Sequence, residues 1–313
     1  MYPLYSVIVP CYNEEAVLHE THKRLTQVLS QMDGNYEIIY VNDGSRDKTP
    51  LILRELAATD PHVRAIMFAR NAGHQMAVTA GLDYAAGDAI VIIDADLQDP
   101  PEVIPEMAEK WKAGSQIVFG QRKKREGETA FKKVTASVYY KILSWMTGGM
   151  VPRDTGDFRL VDKKVADVIR GMPEHARFLR GMFAWVGFKQ EALLYDRDKR
   201  FAGETHYPLK KMLKLAADGI FSFSVKPLKF ITWLGAGFVG LAGLMLLILL
   251  IALIFGGHGG LWWIAMLMVG LTGVLLSALG IVGEYIARIY DETRGRPLYI
   301  VAETMGFGDG SNI

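Results

Sequence analysis

Two aspartates, Asp94 and Asp96, are separated by a single residue directly after the apolar run Ile90–Ile93, and Gln98 follows two positions on. Carboxylates at that spacing, at the mouth of a buried strand, place hard oxygens around one divalent cation. Mg2+ or Mn2+ suits such a set, with water and phosphate oxygens filling the remaining positions. An isolated pair of this kind is common in turns, so its weight comes from its company. Pro10-Cys11-Tyr12-Asn13-Glu14 and Asn42-Asp43-Gly44-Ser45 also end apolar runs. Asp43 is equally suited to receive a base N–H or ribose hydroxyl of a nucleotide and to cap the helix that follows. Asp157 lies between Arg153 and Arg159, where an ion pair would give it a purely structural role. No G-x-G-x-x-G follows the first apolar run and no G-x-x-x-x-G-K-[ST] occurs, which disfavours a dinucleotide-dependent oxidoreductase and a P-loop ATPase. The single cysteine, Cys11, excludes an intramolecular disulfide framework and a multi-cysteine metal site.

Such residues need a frame that gathers the ends of distant segments. Ser6–Pro10, Glu37–Asn42, Val63–Phe68, Ala89–Ile93 and Gln116–Gly120 are short, apolar and rich in β-branched residues. Between them, Glu14–Met32, Thr49–Thr59, Gly73–Ala86 and Pro101–Ala113 carry helical patterns. Alternation of this kind predicts an α/β fold with a mostly parallel sheet covered on both faces. Ligands of such sheets sit outside the carboxyl ends of the strands, where the acidic residues above fall.

The formal charge of +1 over 313 residues conceals a strong asymmetry. Residues 1–120 carry 9 basic against 17 acidic side chains, residues 121–229 carry 23 against 12, and residues 230–313 carry 3 against 5. Phe230–Gly257 and Leu261–Gly283 have no charged residue at all. At ~1.5 Å per helical residue each is long enough for a ~30 Å hydrocarbon core. The expectation is a transmembrane hairpin, with spans near 230–256 and 261–283. Lys226 and Lys229 before it and Arg288, Arg294 and Arg296 after it place both termini in the cytoplasm. Residues 131–148 and 208–229 mix lysines with aliphatic and aromatic residues, as helices lying on an anionic leaflet do. The expected division is a cytoplasmic domain over 1–227, a membrane segment over 230–290 and a cytoplasmic tail over 291–313. Met1–Tyr5 lacks a basic stretch, so no secretory signal is expected.

Pro10-x-Tyr12-Asn13-Glu14, Asn42-Asp43-Gly44-Ser45, Arg70-Asn71-x-Gly73, Asp94-Ala95-Asp96-Leu97-Gln98, Gly120-Gln121-Arg122, Thr155-Gly156-Asp157-Phe158-Arg159 and Arg200-Phe201-Ala202-Gly203-Glu204-Thr205 occur in a telling order. The ordered set resembles the inverting family-2 glycosyltransferases, most closely the polyprenyl-phosphate branch with dolichol-phosphate mannose synthase and bactoprenol-phosphate glucosyltransferases. The resemblance implies a GT-A, Rossmann-like fold that binds a nucleotide-sugar. Pro10, Tyr12, Glu14 and Asp43 would surround the nucleoside, with Asp94, Asp96 and Gln98 around a diphosphate-bound metal. Asp157 matches the family's proposed catalytic acidic position. Arg122, with Lys132 or Lys133, would bind the lipid phosphate, and Arg200 would lie in a loop closing over the site. His206 departs from the pattern, since related sequences often carry lysine there.

The implied reaction moves one sugar, glucose from UDP-glucose, onto polyprenyl (undecaprenyl) phosphate at the cytoplasmic leaflet, with GDP-mannose or another UDP-sugar as alternative donors. A phosphate monoester is already mostly ionised near neutral pH, so Asp157 is expected to position a substrate or metal, with base catalysis as the alternative. A polysaccharide synthase is disfavoured by the lack of Q-x-x-R-W, and a nucleotidyltransferase gives no reason for the hairpin. A nonenzymatic, membrane-anchored nucleotide-sugar or lipid-binding protein is the reading from a different class. The hairpin offers an apolar surface for self-association, and no nucleic-acid partner is expected.

Overall fold

The computed structural model describes residues 2–122, 155–198, 226–254 and 260–307. Eight strands, β1 (Leu4–Cys11), β2 (Asn35–Asn42), β3 (Val63–Phe68), β4 (Ala89–Ile92), β5 (Ile117–Arg122), β6 (Thr155–Asp162), β7 (Gln190–Tyr195) and β8 (Val301–Met305), form one sheet. Their order is β7-β5-β6-β4-β1-β2-β3-β8. The pairs β1·β2, β1·β4, β2·β3 and β5·β7 are parallel, whereas β6 runs antiparallel to β4 and β5, and β8 antiparallel to β3.

The central strands are apolar on both faces because both faces are covered. Val7, Ile8, Ile38, Ile39, Tyr40 and Val91 are fully buried. The helices α1 (Leu18–Leu29), α2 (Thr49–Thr59), α3 (His74–Tyr84), α4 (Ile104–Lys112), α5 (Lys163–Arg170) and α6 (Leu179–Trp185) belong to the same unit as the sheet. The helix α1 buries Leu18, Leu25, Val28 and Leu29, and α4 buries Ile104, Met107 and Ala108. From β1 the chain builds outward through β2 and β3, then crosses back through α3 to place β4 on the other side of β1. That reversal opens a crevice at the carboxyl ends of β1 and β4.

Three departures from the sequence expectations bear on the site. The helix expected over Glu14–Met32 begins at Leu18, because the Glu14 carbonyl accepts from the N–H groups of Val17 and Leu18 and turns the chain first. The stretch bearing Asp157 is a strand, β6, inserted antiparallel between β4 and β5. The C-terminal residues expected as a tail return to the sheet as β8. Tyr299 stacks on Phe68 with ring centroids 5.0 Å apart and donates to Asp83, and Arg54 forms a two-point ion pair with Glu303.

The chain divides into one unit comprising Met1–Ala216 with Pro297–Ile313, and a second comprising Ala217–Arg296. In the second, helices α7 (Lys226–Ile254) and α8 (Gly260–Arg294) contact each other. Among the described residues one stretch, Gly270–Arg294 with mean hydropathy 1.6, is long and apolar enough to cross a membrane; Trp233–Met245 is a shorter apolar helix. The expected interfacial stretch 131–148 lies outside the described residues, as does all of 208–229 except 226–229, which open α7.

Candidate active site

Register brings the acidic residues together. Ile8 of β1 pairs with Ile92 of β4, so the Tyr12–Glu14 and Asp94–Gln98 loops leave adjacent strand ends. Ile92 pairs in turn with Arg159 of antiparallel β6, and continuing that register sets Asp157 beside position 94. On the far side of β6, Gln121 pairs with Thr155, which carries Arg122 to the same end of the sheet. A Cβ on Gly156 would lie 3.4 Å from Arg122 Nη2, so the guanidinium stands next to the Asp157 strand.

Asp157 is the most tightly held of these groups. Its side chain is 12% exposed, and Arg180 of α6 grips it with Nε 2.7 Å from Oδ1 and Nη2 3.0 Å from Oδ2. His74 Nε2 lies 3.3 Å from Asp157 Oδ2 and 3.7 Å from Asp94 Oδ1, bridging the two carboxylates. Burial alone would raise the Asp157 carboxyl, but Arg180 and His74 hold it well below the usual carboxylate range. Burial also opposes protonation of His74, yet Asp157 and Asp94 lift it to about 9. Asp94 is pushed up to about 6 by burial, with Asp157, Asp99 and Asp96 adding to the rise against His74. Burial is the main cause, so Asp94 is a carboxylate that lacks solvation for its charge.

Arg159 does not supply the ion pair foreseen for Asp157. Arg159, 5% exposed, turns away to the carbonyls of Gly156 and Asp157 and lies over the Phe183 ring at 4.6 Å. Arg153 lies outside the described residues. The partner is Arg180, fixed where α6 docks on α3: the Leu179 N–H donates to Gln75 Oε1 at 2.9 Å.

The Asp94–Gln98 loop has its own constraints. Ala95 and Leu97 are buried, and Leu97 adopts φ +56, a left-handed conformation that a leucine keeps only under outside restraint. The Gln98 N–H donates to Asp96 Oδ1 at 3.1 Å, and the Gln98 carbonyl accepts from Asp198 at 2.9 Å. Among the described residues no three His, Cys, Asp or Glu side chains form a ready metal cage. Two carboxylates are what a Mg2+- or Mn2+-type site uses when substrate phosphates and water supply the rest, and a poorly solvated Asp94 beside Asp96 fits that arrangement.

On the β2–β3 side, a cavity of about 470 Å³ is lined by Tyr12, Asn42, Arg46, Phe68, Arg70 and Asn71, with Ala302 and Glu303 of β8 completing a wall. Tyr12 is 46% exposed and so available to a ligand. The strand-end loops are laced together: Asn13 N–H donates to Ser45 Oγ, Arg46 N–H to Asn13 Oδ1, and Glu14 N–H to Thr49 Oγ1. Pro10 sits within β1, paired with Val41.

Asp43 does not cap α2, whose N-cap is Lys48. With 3% exposure, its carboxylate faces inward and accepts from Asn71 Nδ2 and from the N–H groups of Ala72 and Gly73. It fastens the loop that launches α3 and delivers His74. Gly44 permits this approach, since at φ +66 a Cβ there would meet Asn71 N at 2.6 Å. Lys132, Lys133 and Arg200 lie outside the described residues. His74 and Arg180 escaped the sequence reading, although His74 directly follows the Arg70–Gly73 motif.

A doubly wound α/β sheet with paired aspartates, a third buried aspartate and an arginine at its switch point defines a GT-A-type transferase. The profile of Glycosyl transferase family 2 matches residues 6–170. An uncharacterized glycosyltransferase, YkcC of Bacillus subtilis, is 53% identical over 96% of this chain and 94% of its own length. The prophage bactoprenol glucosyl transferase homolog of Escherichia coli is 38% identical over 95% of this chain and 97% of its own. A bactoprenol glucosyl transferase of Shigella flexneri, derived from prophage SfII, is 38% identical over 96% and 97% respectively. The chain belongs to glycosyltransferase family 2, and it is a glycosyltransferase.

Proposed function

We propose that this chain transfers one glucose from UDP-glucose to undecaprenyl phosphate, with inversion at the anomeric carbon. The reaction takes place at the cytoplasmic face of a membrane that α7 and α8 enter as a hairpin, with both termini cytoplasmic. The observation that carries the reading is the convergence of Asp94, Asp96, Asp157 and Arg122 on one crevice, beside a cavity of nucleoside size. The bactoprenol glucosyl transferases among the relatives support the acceptor class, and their match along nearly the full chain supports a shared membrane segment.

The residues divide the work by charge. Tyr12, Arg70 and Asn71 receive the nucleoside, while Pro10, Glu14 and Asp43 shape the loops around it. Asp94 and Asp96, with Gln98 beside them, would hold Mg2+ or Mn2+, whose charge would stabilise a leaving diphosphate. Arg122, joined by Lys132, Lys133 and Arg200, binds the acceptor phosphate. The acceptor has no proton that must be removed, since a phosphate monoester is largely ionised at neutral pH. Asp157 is correspondingly a poor base: Arg180 engages both its oxygens and keeps it ionised. Its role is to orient the sugar and to fix, through His74, the position of Asp94.

The test is incubation of detergent-purified protein with undecaprenyl phosphate and a panel of UDP- and GDP-sugars, with and without Mg2+ or Mn2+. A glucolipid formed only with metal and UDP-glucose is expected. Absence of lipid-linked product from every donor refutes the reading.

A further inference from the structure

Strand β7 and the residues after it touch both halves of the site. Tyr195, 4% exposed, ends β7 opposite Arg122 in the parallel β5·β7 register. Its hydroxyl donates to the Asp99 carboxylate, itself 1% exposed, and the Arg122 side chain, opposite in the strand register, is close enough to act on the phenol. A phenol has one proton to give and lone pairs to receive, so it can serve both neighbours at once. The ring fits because position 120 is glycine: a Cβ there would lie 2.8 Å from Tyr195 Cε1 and 3.0 Å from Phe158 Cδ1. Phe158 meets the ring edge-on, with centroids 5.6 Å apart. Asp99 directly follows Gln98, on the loop that carries Asp94 and Asp96 with Leu97 at φ +56. Arg197 Nε approaches Asp99 to 3.4 Å, and Asp198 N–H binds the Gln98 carbonyl, so the exit of β7 clasps the same loop.

We infer that Tyr195 is a positioning residue whose hydroxyl, anchored by Asp99, sets the direction of Arg122 relative to the Asp94–Gln98 loop. The inference rests on the proposed acceptor role of Arg122. A long, flexible side chain held in one rotamer before the lipid phosphate arrives loses less entropy on binding it. Tyr195 therefore acts on the acceptor through Arg122, with Asp99 as the anchor of its hydroxyl, without touching either substrate.

The test uses the full-length, detergent-solubilised protein as wild type, Tyr195→Phe, Arg122→Ala and the double variant. Transfer is measured while undecaprenyl phosphate and UDP-glucose are varied in turn, and UDP affinity is measured by calorimetry in Mn2+. Phenylalanine keeps the ring in its Gly120 cradle and removes only the hydroxyl. Tyr195→Phe is expected to raise the acceptor KM roughly tenfold, the loss typical of a hydrogen bond to a charged group, with UDP affinity and melting temperature near wild type. In the Arg122→Ala background the same change is expected to add nothing, because its effect passes through that arginine. Asp99→Asn, which keeps an acceptor oxygen and loses the charge, is expected to give a smaller rise in the same KM. A wild-type acceptor KM in Tyr195→Phe overturns the inference, and so does a loss that multiplies in full with Arg122→Ala. A joint fall of kcat, UDP affinity and melting temperature overturns it as well. A wild-type protein that transfers nothing overturns the acceptor reading and this inference together, whereas normal transfer with an unchanged Tyr195→Phe overturns the inference alone.

Discussion

Removing Arg180 isolates the charge on Asp157, and the consequence can be worked out from the geometry. In Arg180→Met the carboxylate, 12% exposed, loses contacts of 2.7 and 3.0 Å and, among the described residues, keeps His74 at 3.3 Å. Stripping one partner from a buried pair costs about 3–5 kcal/mol, and the remaining His74 puts this case near 3 kcal/mol. For a domain of this size that is a fall of roughly 6–12 °C in melting temperature. Asp157→Asn in the same background removes the stranded charge, so the double variant should recover about 2 kcal/mol of the loss. The pH dependence has a defined sign. Asp157 is held below its ordinary value, so its contribution is present above the unfolded pKa and fades as pH falls through the folded one. Without Arg180, burial raises the group, it takes up a proton more readily, and the gap between wild type and Arg180→Met narrows from pH 8 to pH 5. Thermal unfolding of the detergent-solubilised protein at one fixed scan rate, at both pH values, provides the readout. Equal melting temperatures for Arg180→Met and the double variant, or a gap that does not change with pH, refute the reasoning.

Asp94→Asn and Asp96→Asn should each lower kcat by about a hundredfold or more, reflecting several kcal/mol of lost charge stabilisation. Rates measured across a Mn2+ titration check this, and the metal dependence should weaken in parallel. His74, lifted to about 9 by burial-opposed pairing with Asp157 and Asp94, contributes stability fully present below its ordinary value near 6.5 and lost as pH rises through 9. Wild-type melting should therefore decline from pH 7 to pH 10 more steeply than that of His74→Ala. Arg122→Ala should weaken use of undecaprenyl phosphate far more than UDP binding by calorimetry, and equal losses would refute the division of charge. Gly44→Ala forces a side chain into φ +66 against Asn71, a strain of at least ~1 kcal/mol, and should reduce UDP affinity while leaving Asp94 and Asp96 in place.

The parallel half of the sheet was legible because strands buried on both faces are continuously apolar, as Val7–Val9, Ile38–Val41 and Ile90–Ile92 are. The Asp94–Gln98 loop was legible because it leaves one of them. Strand β6 was not, since Asp157 and Arg159 interrupt its apolar pattern; Arg159 is buried by satisfying itself on main-chain carbonyls and Phe183, which composition does not reveal. Strand β8 is five residues long, and its partner β3 lies at the other end of the sequence. Asp43 was placed at the right strand end, but its bonds to the Asn71–Gly73 loop were not legible, because that loop arrives from beyond β3. His74 and Arg180 are single cationic residues whose meaning depends on reaching Asp157 across the fold, and only their contacts disclose it.

The central claim, metal-dependent transfer of one sugar to a lipid phosphate, is tested most directly by counting both products of one reaction. Purified protein is given labelled UDP-glucose and undecaprenyl phosphate with Mn2+, and UDP and labelled lipid are quantified over time. The account predicts equal molar amounts of UDP and monoglucosylated lipid, and neither product after chelation of the metal. UDP released without a matching glucolipid, or glucolipid formed undiminished in chelator, would contradict it.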